Sequence, residues 1–196
     1  NIFLTVIFAG IKDIAVHFGF ADGYFATIVV GVISVDISIV FTVLTVWKLT
    51  DSRKLTVLSL IISTVFLGFN PWIVIPYSDA YSISFLSIMM YLYCSLKKDK
   101  KGYGTWTGIV IVAMIGMKIK PTVIIALFAI VLVEIFNCNK SRIKELLLKG
   151  VILAAGSAAI LIMVNCLSKA VYAERSLDAQ MTECHYLMMG ANEETY

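Results

Sequence analysis

Two lysines separated by one isoleucine interrupt a long apolar stretch, in the segment Gly116-Met117-Lys118-Ile119-Lys120-Pro121. A lysine near the centre of a membrane-spanning helix costs about 2.5–3.5 kcal/mol, so two together indicate a pocket that holds water or an anion. Pro121 suits the first position of a helix, whose free N–H groups and positive dipole end also attract anions. The segment therefore predicts an anion site for phosphate or pyrophosphate.

A simpler interpretation is that Lys118 and Lys120 extend their long side chains to the membrane surface and bind nothing. The protein would then be a membrane scaffold, and both positions would tolerate any polar residue.

The composition identifies a membrane protein. Of 196 residues, 60% are hydrophobic and 15% are charged, and the mean hydropathy is +0.91, whereas about a quarter of the residues of a soluble domain are charged. Four cysteines without a C-x-x-C pair and two histidines argue against a zinc site or a disulfide framework. The net charge of +3 does not indicate nucleic acid binding. The chain opens on Asn1 without an initiator methionine, so we expect a fragment of a longer protein.

Six apolar segments resemble membrane-spanning helices, which need about 20 residues. They are 24–47, 55–69, 80–96, 105–117, 122–136 and 146–167. The short opening run is followed by Lys12 and Asp13, so we expect an interfacial helix there. The predicted fold class is an all-α, polytopic membrane bundle of about six transmembrane helices with a short re-entrant-like hairpin. Its predicted parts are an interfacial helix and outer loop (1–22), the transmembrane bundle (23–168) and an extracytoplasmic tail (169–196).

Most of the 16 Lys and Arg residues follow the first, third and fifth spans. Because cytoplasmic loops are enriched in these residues, the loops near 48–54, 97–104 and 138–149 are predicted to be cytoplasmic, in a multi-pass protein of the cell membrane. Lys118 and Lys120 then face outward. The two spans beside them are only about 20–22 Å long, against a hydrocarbon thickness of about 30 Å, so the hairpin tip should be recessed.

The outward loop before the third span carries two prolines, three aromatic residues and one carboxylate. Tyr77, Asp79 and Tyr81 are predicted to line the outward cavity, where they would hold a polar head group. Asp79 could also orient Lys118 or Lys120, or be an ordinary helix cap.

Three further ionisable residues are candidates. Asp36, in the middle of the first span, must face the bundle, a cavity or a partner cation, either as a functional group or as a neutral residue that fixes helix packing. Glu134, near the end of the fifth span, is expected at the membrane interface. His185 in the tail could be a general base or a ligand, although a lone histidine is a weak signal.

The chain resembles the GT-C superfamily of integral-membrane glycosyltransferases. The likeness lies in Asn1-Ile2-Phe3-Leu4, Val35-Asp36-Ile37-Ser38, Pro76-Tyr77-Ser78-Asp79-Ala80-Tyr81-Ser82 and Lys118-Ile119-Lys120-Pro121-Thr122. The tail segment 181–192 is similar to uncharacterised glycosyltransferases of Gram-positive bacteria.

The resemblance implies transfer of a sugar from a polyprenyl-phosphate carrier on the outer face of the membrane, with Lys118 and Lys120 contacting the donor phosphate. The implied partners are membrane lipid and this donor, with no further cofactor. The catalytic carboxylate is expected on an outer loop that would precede Asn1, so no catalytic residue is assigned here. The alternative class is a transporter or lipid-carrier flippase with an outward-facing anion site, which equally suits broken helices and an intramembrane Asp36.

Overall fold

The computed structural model describes residues 2–19, 23–75, 78–98, 102–138 and 143–171. The α-helices are α1 (Ile2–His17), α2 (Gly23–Thr50), α3 (Arg53–Ser63), α4 (Ser78–Lys98), α5 (Tyr103–Ile119), α6 (Ile124–Phe136) and α7 (Ile143–Val171). A π-helical turn (Thr64–Gly68) extends α3, and 3-10 turns lie before α4 (Pro71–Val74) and α6 (Pro121–Val123). The all-α prediction is confirmed for these residues, and the number of membrane crossings stays a prediction.

Within the described ranges, two helices are long and apolar enough to cross a membrane by themselves, at Phe25–Thr50 and Ile143–Cys166. The neighbouring helices α5 and α6 have 17 and 13 residues, or about 25 and 20 Å at 1.5 Å per residue. Both lengths fall short of the hydrocarbon thickness of about 30 Å. The hairpin of α5 and α6 therefore has the short proportions predicted for it.

Helix α5 lies at the centre of the bundle, where it contacts α1, α4, α6 and α7. Its residues Trp106, Ile109, Val110 and Ala113 are at most 2% exposed. Gly156 allows α7 to approach α5 closely, since a Cβ at this position would lie 3.0 Å from Cγ1 of Val110. Because α5 is buried at the centre of the bundle, it holds the helices packed around it in fixed positions.

The outer surface of the bundle is apolar as well. Phe66, Phe69, Phe128 and Phe136 are between 64% and 84% exposed, and many further apolar residues are exposed along α2, α3, α6 and α7. Soluble proteins rarely expose large contiguous apolar patches. Helices that are apolar on both their buried and their exposed faces are typical of a bundle surrounded by lipid.

Small polar residues join α2 to α4. The Ser34 hydroxyl donates to that of Ser84 at 2.8 Å, and the Ser87 hydroxyl donates to that of Ser38 at 3.1 Å. Small residues let transmembrane helices approach closely, and each interhelical hydrogen bond contributes about 0.6 kcal/mol. These contacts fix α4 relative to α2, and α4 carries Asp79 in its first turn.

An ionic cluster of Lys97, Glu134, Glu145 and Lys149 joins α4, α6 and α7 at the end of the bundle opposite Lys118 and Lys120. The Glu134 carboxylate pairs with Lys97 and, at 2.8 Å, with Lys149. Lys149 also pairs with Glu145 at 2.8 Å. Glu134 lies near the C-terminal end of α6, and its side chain is only 7% exposed because protein groups enclose it. Its location at the membrane interface stays a prediction.

Gly116 permits the tightest contact near the α5–α6 turn. A Cβ at this position would lie 2.8 Å from Cγ1 of Val123 and 2.9 Å from Cβ of Phe85. We therefore expect Gly116→Ala to displace the turn and to destabilise the protein by about 1–3 kcal/mol, seen as a lower thermal unfolding midpoint in detergent. Gly108→Ala is the matched control in the same helix, because its Cβ would meet Leu92 at an ordinary 3.6 Å. Equal effects of the two substitutions would contradict this expectation.

Candidate functional site

The turn between α5 and α6 breaks the hairpin at Lys120. Its backbone is extended, with φ −144° and ψ 118°, and its N–H donates to the carbonyl oxygen of Gly116 at 2.8 Å. Pro121 occupies the start of the following 3-10 turn, as its position in the sequence predicted. The predicted span ended at residue 117, whereas α5 continues through Lys118 to Ile119. Lys118 thus lies in the last turn of α5, and Lys120 is the residue with extended backbone that separates α5 from the following 3-10 turn.

Lys120 is paired with Asp79, in the first turn of α4. The Lys120 ammonium donates to Oδ1 of Asp79, with side-chain exposures of 27% and 57%. An ion pair open to this extent stabilises the fold by about 0–1 kcal/mol, so its main effect is to position the ammonium. The structure therefore brings together two of the residues that the sequence singled out.

Lys118 is half-buried, and no described residue forms a hydrogen bond or an ion pair with its side chain. Ile119, between the two lysines, is only 6% exposed, which anchors this part of the turn in the bundle. An ammonium without a carboxylate partner beside short apolar helices attracts an external anion. Lys118 is therefore the stronger candidate of the two for direct anion contact.

The start of α6 offers fewer N–H donors than the sequence predicted. Pro121 has no N–H. The N–H of Val123 donates to the carbonyl oxygen of Lys120 at 3.1 Å, and the N–H of Ile124 donates to the carbonyl oxygen of Pro121. A 3-10 turn thus uses donors that an isolated α-helical start would leave free. The N–H groups of Val123 and Ile124 are thus used within the chain, so the lysines must supply most of the attraction.

Tyr81 is a packing residue in the structure. It is 5% exposed, its hydroxyl donates to the carbonyl oxygen of Thr27 at 2.8 Å, and its ring meets that of Phe8 edge to face at 5.0 Å. Tyr81 shares a face of α4 with Ser84, three residues later, and that face packs against α2. The expectation that its hydroxyl lines an outward cavity is corrected accordingly. Tyr77 and His185 lie outside the described residues.

Asp36 is exposed on the outer side of α2, while Ser34 and Ser38 are buried against α4. Residues four apart share a helix face, and the residue between them lies on the other side. The structure therefore corrects the expectation that Asp36 faces the interior of the bundle, and its role as a candidate site residue stays a prediction. Among described residues, none forms an ion pair with it.

Comparison with known proteins identifies a family. A family of conserved hypothetical integral membrane proteins matches the chain over residues 10–195. The chain belongs to this family. No curated protein and no solved structure matches it. Membership establishes an integral membrane protein, so the apolar outer surface of the bundle faces lipid.

In this integral membrane protein, the turn between α5 and α6 carries two ammonium groups, of which that of Lys120 is paired with Asp79. Among described residues, no three His, Cys, Asp or Glu side chains lie close enough to bind a metal ion. Sequence reasoning undervalued Glu134, which is the centre of the ionic cluster. The available signal for an ion pair was a carboxylate among apolar residues in the sequence. The identity of its lysine partners on α4 and α7 could not be predicted, because the pairing depends on tertiary packing.

Proposed function

We propose that this protein is the membrane core of a glycosyltransferase that takes a sugar from a polyprenyl-phosphate carrier at the outer face of the membrane. The observation that supports this proposal most is the α5–α6 turn, where Lys118 lacks a described carboxylate partner and Asp79 positions Lys120. A lipid phosphate suits this turn, because its polyprenyl chain can lie along the apolar surface of the bundle.

Transfer breaks the bond between the sugar C1 and a phosphate oxygen and forms a bond between C1 and the acceptor oxygen. The bonding electrons leave with the phosphate, whose negative charge grows, and the acceptor proton passes to a general base for which we assign no residue in this chain. Lys118 would stabilise the growing charge, and an ammonium does this strongly where water is excluded. Lys120, whose charge Asp79 partly balances, would mainly orient the phosphate.

Lipid binding by the full-length protein tests this assignment. We expect a polyprenyl monophosphate to bind at least about tenfold more tightly than the matching polyprenol, because hydrogen bonds to charged groups contribute about 1.5–3 kcal/mol. Lys118→Gln should remove most of this preference, whereas Lys12→Gln, at an exposed lysine of α1, should retain it. Equal binding of the two lipids would contradict a phosphate site.

A transporter or flippase would bind the same lipid but leave the bond between sugar and phosphate intact. To distinguish a transferase from a transporter, the full-length protein in proteoliposomes is supplied with a sugar attached to polyprenyl phosphate. Release of polyprenyl phosphate supports a transferase, and movement of the intact donor across the bilayer supports a transporter.

A further inference from the structure

Asp36 lies at the centre of an exposed face of α2, on the side away from α4. Ile33 and Val40 lie three and four residues from Asp36 on the same face, and Phe25 and Trp47 each lie eleven residues, or about three turns, away. These four side chains are between 43% and 55% exposed. We call the five residues the Asp36 face. It is apolar except for one carboxylate, and the proposed transfer reaction does not use it.

The Asp36 face extends across the hydrocarbon thickness of a membrane. Eleven residues of α-helix rise about 16 Å, so Asp36 lies about this distance from each end of the face, which is half of a hydrocarbon thickness of about 30 Å. A lysine within a span can extend its long side chain toward the headgroups, but the aspartate side chain is too short to do so from the middle. The carboxylate therefore needs a partner inside the membrane.

The charge of that partner follows from the carboxylate. Ionisable residues within spans almost always pair with one another or face a bundle interior or a water-filled cavity. Asp36 points away from the bundle, and no described residue forms an ion pair with it. The lysine and arginine residues of α2 to α7 lie near helix ends. A lysine or arginine at the middle of a further spanning helix would complement the carboxylate at the same depth.

A second copy of this chain does not supply such a cation through the same face. Copies in one membrane share an orientation, so a symmetric pair of α2 helices would place the two Asp36 carboxylates against each other at equal depth. Two carboxylates at one site repel each other or must share a proton. The charge therefore favours a different protein as the occupant.

We propose that the Asp36 face binds a spanning helix of a separate membrane protein, and that this helix carries a lysine or arginine at its middle. The basic side chain pairs with the Asp36 carboxylate, and the apolar remainder of the helix packs on Ile33, Val40 and their neighbours. Val and Ile side chains adopt essentially one rotamer in a helix, so they lose little conformational freedom when a partner covers them.

The test uses the full-length protein in lipid bilayers and two synthetic spanning peptides of leucine and alanine, one with a central lysine and one with leucine there. Binding is measured by energy transfer between fluorophores on the peptide and on the protein. We expect the lysine peptide to bind about three- to tenfold more tightly, the effect of one polar contact between helices in a membrane. Asp36→Leu should abolish this preference without lowering the thermal unfolding midpoint, because it places an apolar side chain in lipid.

Two further variants show whether the charge at this position is the cause. Asp13→Leu, at an exposed aspartate of α1, is the matched control and should keep the preference for the lysine peptide. Asp36→Lys should reverse it, so that a peptide with a central aspartate binds more tightly than the lysine peptide.

Equal binding of the lysine and leucine peptides to the unsubstituted protein would overturn the proposal. An unchanged preference in Asp36→Leu would also overturn it, since the contact would then lie elsewhere. Dimers of the full-length protein that Asp36→Leu abolishes, counted by single-molecule photobleaching in the same bilayers, would identify a second copy as the occupant and exclude a separate partner.

Discussion

Sugar transfer by the full-length protein is expected to fall about 100- to 1,000-fold when Lys118 and Lys120 are both replaced by methionine. Losses of this size follow the removal of a fixed donor to charge that develops in a transition state. Methionine keeps a flexible unbranched stem and removes the ammonium, so the turn should keep its packing. The rate is measured in membranes from the release of polyprenyl phosphate by a labelled donor.

Single substitutions separate the two lysines. Lys118→Met should account for most of the loss, because no described carboxylate balances its charge. Asp79→Asn keeps both lysines and releases Lys120, so it should change the rate at most about fivefold, the equivalent of an exposed ion pair. Membrane insertion should be unchanged in every variant, as measured by protection from added protease. Normal transfer by the double methionine variant would exclude the proposed role of the lysines.

The positions of the helices could be predicted because each apolar run ends at charged residues or at a proline. The sequence also allowed the pairing of Asp79 with Lys120 to be predicted, as one option beside a pairing with Lys118 or a role as a helix cap. In an alternating bundle, the start of α4 and the end of α5 lie at the same side of the membrane. The sequence did not determine which lysine would pair, since that depends on where α5 ends within the turn.

The directions of Asp36 and Tyr81 were harder to predict, because the hydrophobic signal that separates inside from outside is weak in a membrane protein. Small residues provide a usable signal instead. Thr27, Gly31 and Ser34 recur at intervals of three or four along α2, which indicates a close helix contact. This pattern would have placed Asp36 on the opposite face.

The ionic cluster around Glu134 is expected to give the largest stability effect. Glu134→Leu should lower the free energy of unfolding by about 3–5 kcal/mol, because removing one partner leaves a buried charge uncompensated. That charge is Lys149, whose side chain is 10% exposed; among the described carboxylates it would keep the half-exposed Glu145 as partner. Lys97, 45% exposed, can turn toward water. The measurement is the thermal unfolding midpoint of the full-length protein in detergent.

Two further variants identify the origin of this effect. Glu145→Gln removes the exposed partner and should cost less than about 1 kcal/mol, so a loss equal to that of Glu134→Leu would contradict a central role for Glu134. Glu134→Leu combined with Lys149→Met removes both buried charges and should restore much of the stability, since apolar replacements of buried ion pairs are often neutral. Because the cluster lies at the opposite end of the bundle from Lys118, this double variant should also retain sugar transfer. Lys118→Met, in contrast, should lose transfer at unchanged stability, which separates the chemistry of the turn from the folding of the bundle.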